Sequence, residues 1–459
     1  MAGIGFVLRK LVRQDNLTSI FSGYLFSALI TTGPWLFTIL ALGGIGLFGE
    51  KFSTLQEMAV FRLVIIYNFS FSLVLAGPLT MVVTRYISDK IYLKDVREVP
   101  GTLFGSLGIL YAVQVPLVFF FYLGYVDLRD EIALAAIVNY FLISGIWMVS
   151  VFLSALKDYG TISATFAVGM VTAFLGAIYL AQGHPHEGIL WGFNIGLGII
   201  LFSLIARIMA EYPYRNNGIF GFVSSIKQYW DLALCGFCYN LGIWVDKWIM
   251  WFSPAAQELK VGFISYPHYD TAMFLAYLTI IPSMAIFFLN IETNFYEVYR
   301  RFFQDIQGHA TFEKITKNQK AITRNLLESS RNLIFFQGII SFLAIFLAPE
   351  LFEVFNINYL LLGMFRIGVL GSFFQVLSMF MLIILFYFDF RKIALTLVLL
   401  MLGTNGLFTY VGMNMGFAYY GYGYFIASIL TFAFTYCITF YYIDKLPYRA
   451  FVKNNSSIQ

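Results

Sequence analysis

Two oppositely charged residues are neighbours within an apolar segment. Asp246 and Lys247 lie in the run LALCGFCYNLGIWVDKWIMWF, residues 232–252. Successive residues of an α-helix point about 100° apart, so these two side chains are not expected to face each other. Unpaired charge in lipid is costly, and charges at membrane depth commonly mark transport paths. We therefore expect each to find a partner on another helix, for example Asp246 with Arg366, and to lie on a substrate path.

A structural role is the alternative for these charges. Lys247 lies only about 7 Å from the outer end of the segment at 1.5 Å per residue. A lysine at this depth can extend its ammonium group towards water. Trp244, Trp248 and Trp251 have the spacing of interfacial anchors on one helix face. In this interpretation the charges hold the fold together, and the substrate passes elsewhere.

Uncharged polar residues give a second set of candidates for the substrate path. Lys247 shares a helix face with Asn240 and Trp244. Further amides at membrane depth are Asn68, Gln114, Asn139, Gln375 and Asn405. Aromatic residues make up 19% of the chain, and rings combined with amides suit a sugar chain, which offers apolar C–H faces and hydroxyls. The alternative is that each amide bonds a neighbouring helix while the rings face lipid.

These candidates belong to a chain of long apolar segments. Charged residues are 12% of the composition and hydrophobic residues 59%, and the charges collect between about twelve apolar runs. A run of ~20 apolar residues is what a helix needs to cross the hydrocarbon core. Apolar residues fill every face of the runs, which is typical of helices and not of alternating strands. The sequence predicts an all-α integral membrane protein with about twelve transmembrane helices, kinked or ended at Pro34, Pro78, Pro116 and Pro282.

The basic residues predict the orientation. With a cytoplasmic N-terminus, 23 of the 29 lysines and arginines fall in inner segments, as the positive-inside bias requires. Long basic inner loops and very short loops recur at matching places in the two halves. We expect two six-helix lobes, 19–215 and 216–459, around a central cleft, with both termini cytoplasmic. The net charge of +4 then reflects topology and anionic lipid, not nucleic acid.

Two segments outside the apolar runs have patterns of their own. Residues 1–18 place apolar and basic side chains on opposite faces, which predicts a helix on the membrane surface. The long cytoplasmic loop 292–332 carries basic residues that we expect to dock a partner protein: Arg300, Arg301, Lys314, Lys317, Lys320 and Arg324. A solvated helical extension that contacts only anionic lipid is the alternative for this loop.

The sequence lacks the motifs of common enzymes. It contains no phosphate-binding glycine loop, no H-E-x-x-H and no G-x-S-x-G. Cys235 and Cys238 form a C-x-x-C inside an apolar helix, which is typical of packed thiols, and His184 and His186 lie in a short turn. The four histidines fall in loops or at span edges, which disfavours an intramembrane acyltransferase. We expect a protein that is not an enzyme and has no metal and no cofactor.

Several local strings are distinctive: MAGIGF at 1–6, GPW at 33–35, YNLGIWVDKW at 239–248, YD at 269–270 and IET at 291–293. Together they resemble the PelG family of inner-membrane exopolysaccharide transporters. The resemblance runs from end to end of the chain. The family is similar in architecture to the multidrug/oligosaccharidyl-lipid/polysaccharide flippase superfamily, which implies twelve spans in two six-helix lobes.

This resemblance implies export of a hexosamine-rich polysaccharide across the bacterial cytoplasmic membrane. It also implies partners: a cytoplasmic glycosyltransferase that makes the polymer, and companion membrane subunits, including one that binds cyclic-di-GMP. The lobes would rock to pass the chain outward, or the polymer would thread through a partly open path. The alternative is an ion-coupled antiporter or a flippase of a smaller or lipid-linked substrate. An antiporter usually needs a carboxylate at its binding site, and no acidic residue is evident deep in the first lobe.

Overall fold

The chain folds almost entirely into α-helices. The structure, a computed structural model, describes residues 17–448 except residues 50, 157–158, 185, 216 and 261. The described helices are α1 (Leu17–Gly49), α2 (Leu55–Tyr92), α3 (Val99–Phe119), α4 (Asp130–Leu156), α5 (Tyr159–Gly183), α6 (Gly188–Glu211), α7 (Val223–Gln228), α8 (Trp230–Met250), α9 (Pro267–Leu278), α10 (Ile281–Asn290), α11 (Tyr296–Gln307), α12 (Phe312–Phe346), α13 (Ala348–Val354), α14 (Leu362–Tyr387), α15 (Arg391–Met415), α16 (Tyr422–Asp444) and α17 (Leu446–Tyr448). The predicted surface helix 1–18 lies almost wholly outside the described residues.

Ten helical segments of the described chain are long and apolar enough to cross a membrane. They overlap ten of the twelve apolar runs that the sequence predicts as spans: the second to sixth (62–84, 101–124, 132–156, 162–182 and 189–210) and the eighth to twelfth (270–291, 332–348, 360–388, 393–413 and 422–443). The first span corresponds to α1, whose side chains are described from Gly33 onward. The seventh span corresponds to α8, where Asp231, Asp246 and Lys247 lower the hydropathy. A multi-pass helical membrane protein is confirmed, while the cytoplasmic placement of the termini stays a prediction.

One of the four prolines coincides with a helix break. Pro282 is the second residue of α10, and two residues separate this helix from the end of α9. Pro34, Pro78 and Pro116 lie inside α1, α2 and α3, which continue through them. In a membrane, neighbouring helices and hydroxyl side chains satisfy the backbone groups that proline frees, so the helix need not end.

The chain divides by packing into two compact units. Unit I comprises residues 32–267, and the described residues of unit II are 17–31 and 268–448. Unit I contains α2 to α8, and α8 packs along α2 within it. It also contains an antiparallel hairpin of β1 (Gln257–Lys260) and β2 (Phe263–Ser265). The lobes 19–215 and 216–459 stay a prediction.

In unit I the connection between α6 and α8 lies directly on the start of α3. A Cβ atom on Gly105 would be 1.9 Å from the carbonyl oxygen of Ile219. A Cβ atom on Gly101 would be 2.0 Å from the carbonyl oxygen of Asn217. Glycines four residues apart lie on one helix face and allow another backbone to approach. The connection is therefore seated on this pair of glycines.

Polar contacts reinforce the same end of unit I. Lys90 Nζ lies 2.8 Å from Glu98 Oε2, and the Tyr86 hydroxyl donates to the same oxygen. These two hydrogen bonds hold the pKa of Glu98 below its usual range. Tyr229, just before α8, donates to Asp89 Oδ2 at 2.9 Å. The end of α2 is thus bonded both to the start of α3 and to the start of α8.

Unit II contains the helices that follow the hairpin. A buried hydrophobic core joins α11, α12 and α14, with Phe302, Ile322 and Ile384 fully enclosed. The segment 292–332, predicted as a cytoplasmic loop between spans, is helical: a π-helical turn (Ile291–Phe295) leads into α11, and α12 follows. Its place in the cytoplasm stays a prediction. The apolar residues of α11 recur at helical spacing and pack on this core, which is why the segment folds.

The turn between α11 and α12 is held by one carboxylate. Asp305 Oδ1 accepts a hydrogen bond from Lys314 Nζ at 2.9 Å, and its Oδ2 accepts one from Asn318 Nδ2 at 2.5 Å. The bond from Lys314 lowers the pKa of Asp305. We refer to α11 and α12 together as the α11–α12 hairpin.

Candidate substrate path along α2 and α8

Helices α2 and α8 of unit I approach to backbone contact. A Cβ atom on Gly236 would lie 2.4 Å from the carbonyl oxygen of Gly77, and one on Gly77 would lie 2.7 Å from that of Gly236. One turn further along α8, Asn240 Nδ2 donates to the carbonyl oxygen of Leu73 at 3.0 Å. Small residues that admit a close backbone, together with an interhelical amide bond, are the usual means of packing helices in lipid. We call this line of contact the α2–α8 seam.

Aromatic stacking continues the seam towards the end of α8. The rings of Phe71 and Trp248 are stacked with centroids 4.4 Å apart, and those of Tyr67 and Trp251 at 4.7 Å. The Tyr67 hydroxyl donates to the carbonyl oxygen of Ile264 at 2.7 Å and accepts from its N–H group at 3.1 Å. The β-hairpin is therefore bonded to the same aromatic cluster. Tyr67 and Phe71, four residues apart, share one face of α2, and Trp248 and Trp251, three residues apart, share one face at the end of α8.

The charged neighbours form an ion pair with each other. Lys247 Nζ lies 3.0 Å from Asp246 Oδ2 and 3.1 Å from Oδ1, and it also donates to the carbonyl oxygen of Ile243 at 3.0 Å. The expectation that these side chains do not face each other is wrong. Helical side chains lean towards the N-terminus, and the long lysine stem can fold back over the preceding turn to reach both acceptors.

This ion pair is enclosed by protein. Asp246 is 0% exposed and Lys247 is 5% exposed. The ammonium group of Lys247 therefore does not extend towards water from the protein surface, as the anchoring alternative requires. The predicted pair of Asp246 with Arg366 stays a prediction. Trp244, on the same face as Asn240, is partly buried.

Three amide side chains form a hydrogen-bonded chain across the core of unit I: the predicted Asn68 and Asn139, and Asn194. Asn68 Nδ2 donates to Asn139 Oδ1 at 2.9 Å, and Asn139 Nδ2 donates to Asn194 Oδ1 at 2.7 Å. The Tyr122 hydroxyl donates to Asn68 Oδ1 at 2.6 Å. All four side chains are at most 3% exposed. The network joins α2, α4 and α6 to a π-helical extension of α3 (Phe120–Tyr125).

The central amide of this chain is expected to matter for stability. An Asn139→Leu substitution removes a donor and an acceptor at once: the buried Asn194 Oδ1 loses the hydrogen bond from Asn139, and Asn68 Nδ2 keeps only its bond to the carbonyl oxygen of Ala136. We expect the free energy of unfolding to fall by about 1–3 kcal/mol, measured by thermal unfolding of the purified protein. An Asn414→Leu substitution at the exposed end of α15 is the control and should change stability by less than about 0.5 kcal/mol. Equal effects of both substitutions would contradict the role of the network.

The remaining predicted amides are also buried. Gln114 Oε1 accepts from Ser144 Oγ at 2.7 Å within unit I, while its Nε2 has no hydrogen-bond partner among the described residues. In unit II, Gln375 accepts a hydrogen bond from the Tyr424 hydroxyl, and Asn405 accepts one from Thr409 at 3.3 Å. Enclosed amides that bond their own or a neighbouring helix have the commoner structural use.

Arg366 lies at the start of α14 in unit II and is partly buried. Its Nε atom is enclosed and has no hydrogen-bond partner within the described chain. The structure thus brings together Asp246 with Lys247 and Asn68 with Asn139, and it places Asn240 on the α2–α8 seam. The role of these side chains in a substrate path stays a prediction.

All six predicted docking residues are exposed on the α11–α12 hairpin: Arg300, Arg301, Lys314, Lys317, Lys320 and Arg324. Three of them form ion pairs inside the hairpin: Arg301 with Glu297, Lys314 with Asp305, and Arg324 with Glu328. Arg300, Lys317 and Lys320 form no ion pair with the residues that the structure describes. Their charge is therefore available at the surface.

Several residues of the seam were not singled out by the sequence. Gly77 and Gly236 give no signal alone, because glycine is frequent in these spans and the pairing of helices is a tertiary property. Tyr67 and Phe71 did carry a signal, since aromatic residues four apart share a helix face. Trp248 has a stacked ring, and its indole N–H is enclosed without a hydrogen-bond partner among the described residues. The seam therefore holds stacked rings and one enclosed donor without a hydrogen-bond partner, next to the ion pair.

The fold is similar to those of solved membrane transporters. An outward-facing multidrug resistance MATE family transporter of the MOP superfamily matches with a TM-score of 0.65 at 12% identity, covering 92% of this chain and 94% of its own. A MOP superfamily transporter from Pyrococcus furiosus Vc1 matches with a TM-score of 0.64 at 10% identity, covering 91% and 95%. The lipid II flippase MurJ in an inward closed conformation matches at 0.63 with 15% identity, covering 91% and 90%. At these identities the likeness concerns the fold alone.

Sequence comparison is more specific. No curated protein sequence gives a significant match. The sequence model of the PelG family, an exopolysaccharide exporter (EPS-E) family, matches residues 1–451. This match spans both units and nearly the whole chain, and it agrees with the resemblance of the local strings and with the transporter fold. The chain belongs to the PelG exopolysaccharide exporter family.

Proposed function

We propose that this chain moves a hexosamine-rich exopolysaccharide across the bacterial cytoplasmic membrane while a cytoplasmic glycosyltransferase synthesises the polymer. The observation that carries the proposal is the family match over residues 1–451. The ten long apolar helices and the similarity of the fold to those of solved transporters support it. Membrane subunits beside the transporter, including one that binds cyclic-di-GMP, belong to the same proposal.

The α2–α8 seam supports a sugar substrate by its chemistry. Sugar rings bind proteins through apolar C–H faces on aromatic rings and through hydroxyls on fixed polar groups. The seam provides stacked rings at Phe71 and Trp248 and an unused indole N–H at Trp248. Asp246 and Lys247, next to Trp248 along α8, form an enclosed ion pair. We assign contact with the passing polymer to this end of the seam.

One observation favours a second function. Asp246 is a fully buried carboxylate, and buried carboxylates at membrane depth are the usual carriers of a coupling proton or cation. An ion-coupled antiporter or a flippase of a smaller or lipid-linked substrate is therefore the other candidate. Its Asp246 would have to exchange Lys247 for the transported ion in each cycle.

A vesicle experiment separates these functions. The purified chain is reconstituted with its glycosyltransferase in proteoliposomes, and radiolabelled hexosamine nucleotide sugars are added outside. We expect labelled polymer inside the vesicles only when both proteins are present, and we expect it to persist when an ionophore collapses the ion gradient. Uptake of small labelled molecules that needs no glycosyltransferase and stops with the ionophore would establish the antiporter instead.

A further inference from the structure

The exposed face of α12 carries basic residues in its first half and apolar residues in its second half. Its first half presents Lys317, Lys320 and Arg324 at i, i+3 and i+7, so they lie on one side of the helix. Its second half presents apolar residues on the same side, and Phe335 and Phe342 are 65% and 66% exposed. The helix is continuous over these 35 residues. A single exposed stripe therefore changes from basic to aromatic along the helix axis.

The aromatic half of the stripe fixes the depth of the basic half. Arg331 is the last charged residue of α12, and Phe335 follows one turn later, so the lipid boundary lies between them. At 1.5 Å per residue, Arg324 is about 16 Å and Lys317 about 27 Å beyond Phe335. The headgroup layer is only about 5–7 Å thick on each side. Even a helix tilted by about 40° keeps Lys317 about 20 Å from the hydrocarbon edge.

The basic half is thus too distant for lipid headgroups and has unsatisfied charge. Lys317 and Lys320 have no ion-pair partner among the described residues. They also repel each other at i, i+3 and repel Arg324, because like charges at this spacing destabilise a helix. Glu328 forms an ion pair with Arg324 alone of these three, with Arg324 Nε 2.9 Å from Glu328 Oε1. An acidic surface placed beside the stripe would relieve this repulsion and supply the missing partners.

We infer that the stripe Lys317, Lys320 and Arg324 is the docking surface for an acidic segment of a second protein located beyond the headgroup layer. The partner approaches from the side, because the stripe faces away from the core formed by Ile315 and Ile322. Lipid remains the contact of the aromatic half. The inference names a contact surface for the proposed exporter and rests on the proposed function only for its biological purpose.

Photo-crosslinking of the full chain in its own cells tests this surface. A benzophenone amino acid is placed at Ala321, which is exposed among the three cations, and separately at Phe342. We expect the probe at Ala321 to capture a protein, with the crosslinked peptide rich in Asp and Glu, and the probe at Phe342 to capture lipid. Lys317→Glu with Lys320→Glu should lower the Ala321 crosslink about tenfold or more. In cells that carry the Lys317→Glu, Lys320→Glu variant, replacing the acidic residues of the captured partner peptide by lysine should restore the Ala321 crosslink.

The matched control reverses two exposed basic residues of unit I. Arg97 and Lys227 also lack ion pairs with described residues, and Arg97→Glu with Lys227→Glu should leave the Ala321 crosslink unchanged. Capture of lipid at Ala321, a captured peptide without acidic residues, or a normal crosslink in the Lys317→Glu, Lys320→Glu variant would each overturn the inference. So would absence of any protein crosslink at normal chain abundance. The assay measures contact and not polymer, so it succeeds or fails independently of the proposed export.

Discussion

Replacing Lys247 alone by methionine is expected to lower the free energy of unfolding by about 3–5 kcal/mol. The substitution removes the ammonium group that lies 3.0 Å from the enclosed Asp246 carboxylate, and removing one partner of a buried ion pair carries a penalty of this size. Replacing both residues, as Asp246→Asn with Lys247→Met, should restore most of the loss, because a neutral pair of similar volume no longer has charge to desolvate. Thermal unfolding of the purified variants and their abundance in the membrane measure both effects.

The double variant also separates structure from transport. If the ion pair contacts the polymer, the double variant is present at normal abundance but cells lose surface polysaccharide. If the pair only stabilises α8, abundance and polymer recover together. An exposed pair serves as the control: Arg324→Met removes an ion pair with Glu328 whose arginine side chain is 83% exposed, and such pairs contribute at most about 1 kcal/mol. A Lys247→Met variant as stable as the control would show that the pair is not enclosed.

A methyl group at Gly236 is expected to force α2 and α8 apart. Its Cβ atom would lie 2.4 Å from the carbonyl oxygen of Gly77, and backbone atoms inside packed helices cannot move aside cheaply. We expect Gly236→Ala to cost about 1–3 kcal/mol of stability or more. The separation should also disturb the stack of Phe71 on Trp248. Thermal unfolding and tryptophan fluorescence of the purified variant measure the two effects.

Gly108 is a matched control for this glycine. A Cβ atom there has no neighbour within 4 Å, and the residue is exposed on α3. Gly108→Ala should be neutral or stabilise by up to about 1 kcal/mol, because alanine favours the helix. If Gly236→Ala were tolerated equally well, the close contact of α2 with α8 would not exist in the membrane.

Much of the fold is predictable because hydropathy depends on single segments. Runs of apolar residues predict spans regardless of what they pack against. The segment α8 shows the limit: the sequence predicts a span at 229–252, but Asp231, Asp246 and Lys247 lower its hydropathy, and α8 is not among the ten long apolar segments. The predicted loop 292–332 is helical because the apolar periodicity of α11 prevails over its polar composition.

The site is less predictable because it depends on tertiary contacts. The ion pair of Asp246 with Lys247 depends on how the flexible lysine side chain folds back over the helix, and the angle between successive helical residues does not predict this conformation. The contact of Gly77 with Gly236 required knowing which helices are neighbours. Exposure of the basic residues on the α11–α12 hairpin was easier to foresee, since long charged side chains outside lipid are rarely buried. The lack of partners at Lys317 and Lys320 appears only in the folded chain.

The π-helical extension of α3 makes the side-chain contacts at this end of the helix sensitive to the exact number of residues before them. A π turn holds about one residue more than an α turn, so the residues after it are rotated by about 100° relative to an uninterrupted α-helix. Phe121 and Tyr122 lie inside this wider turn, where Tyr122 donates to Asn68 and the ring of Phe121 stacks on that of Tyr67. Deletion of one residue between Gln114 and Phe121 would turn both side chains by about 100° around the helix axis and is expected to break the two contacts together. Insertions and deletions in this part of the chain are therefore restricted to single-residue precision, although no charged side chain lies there.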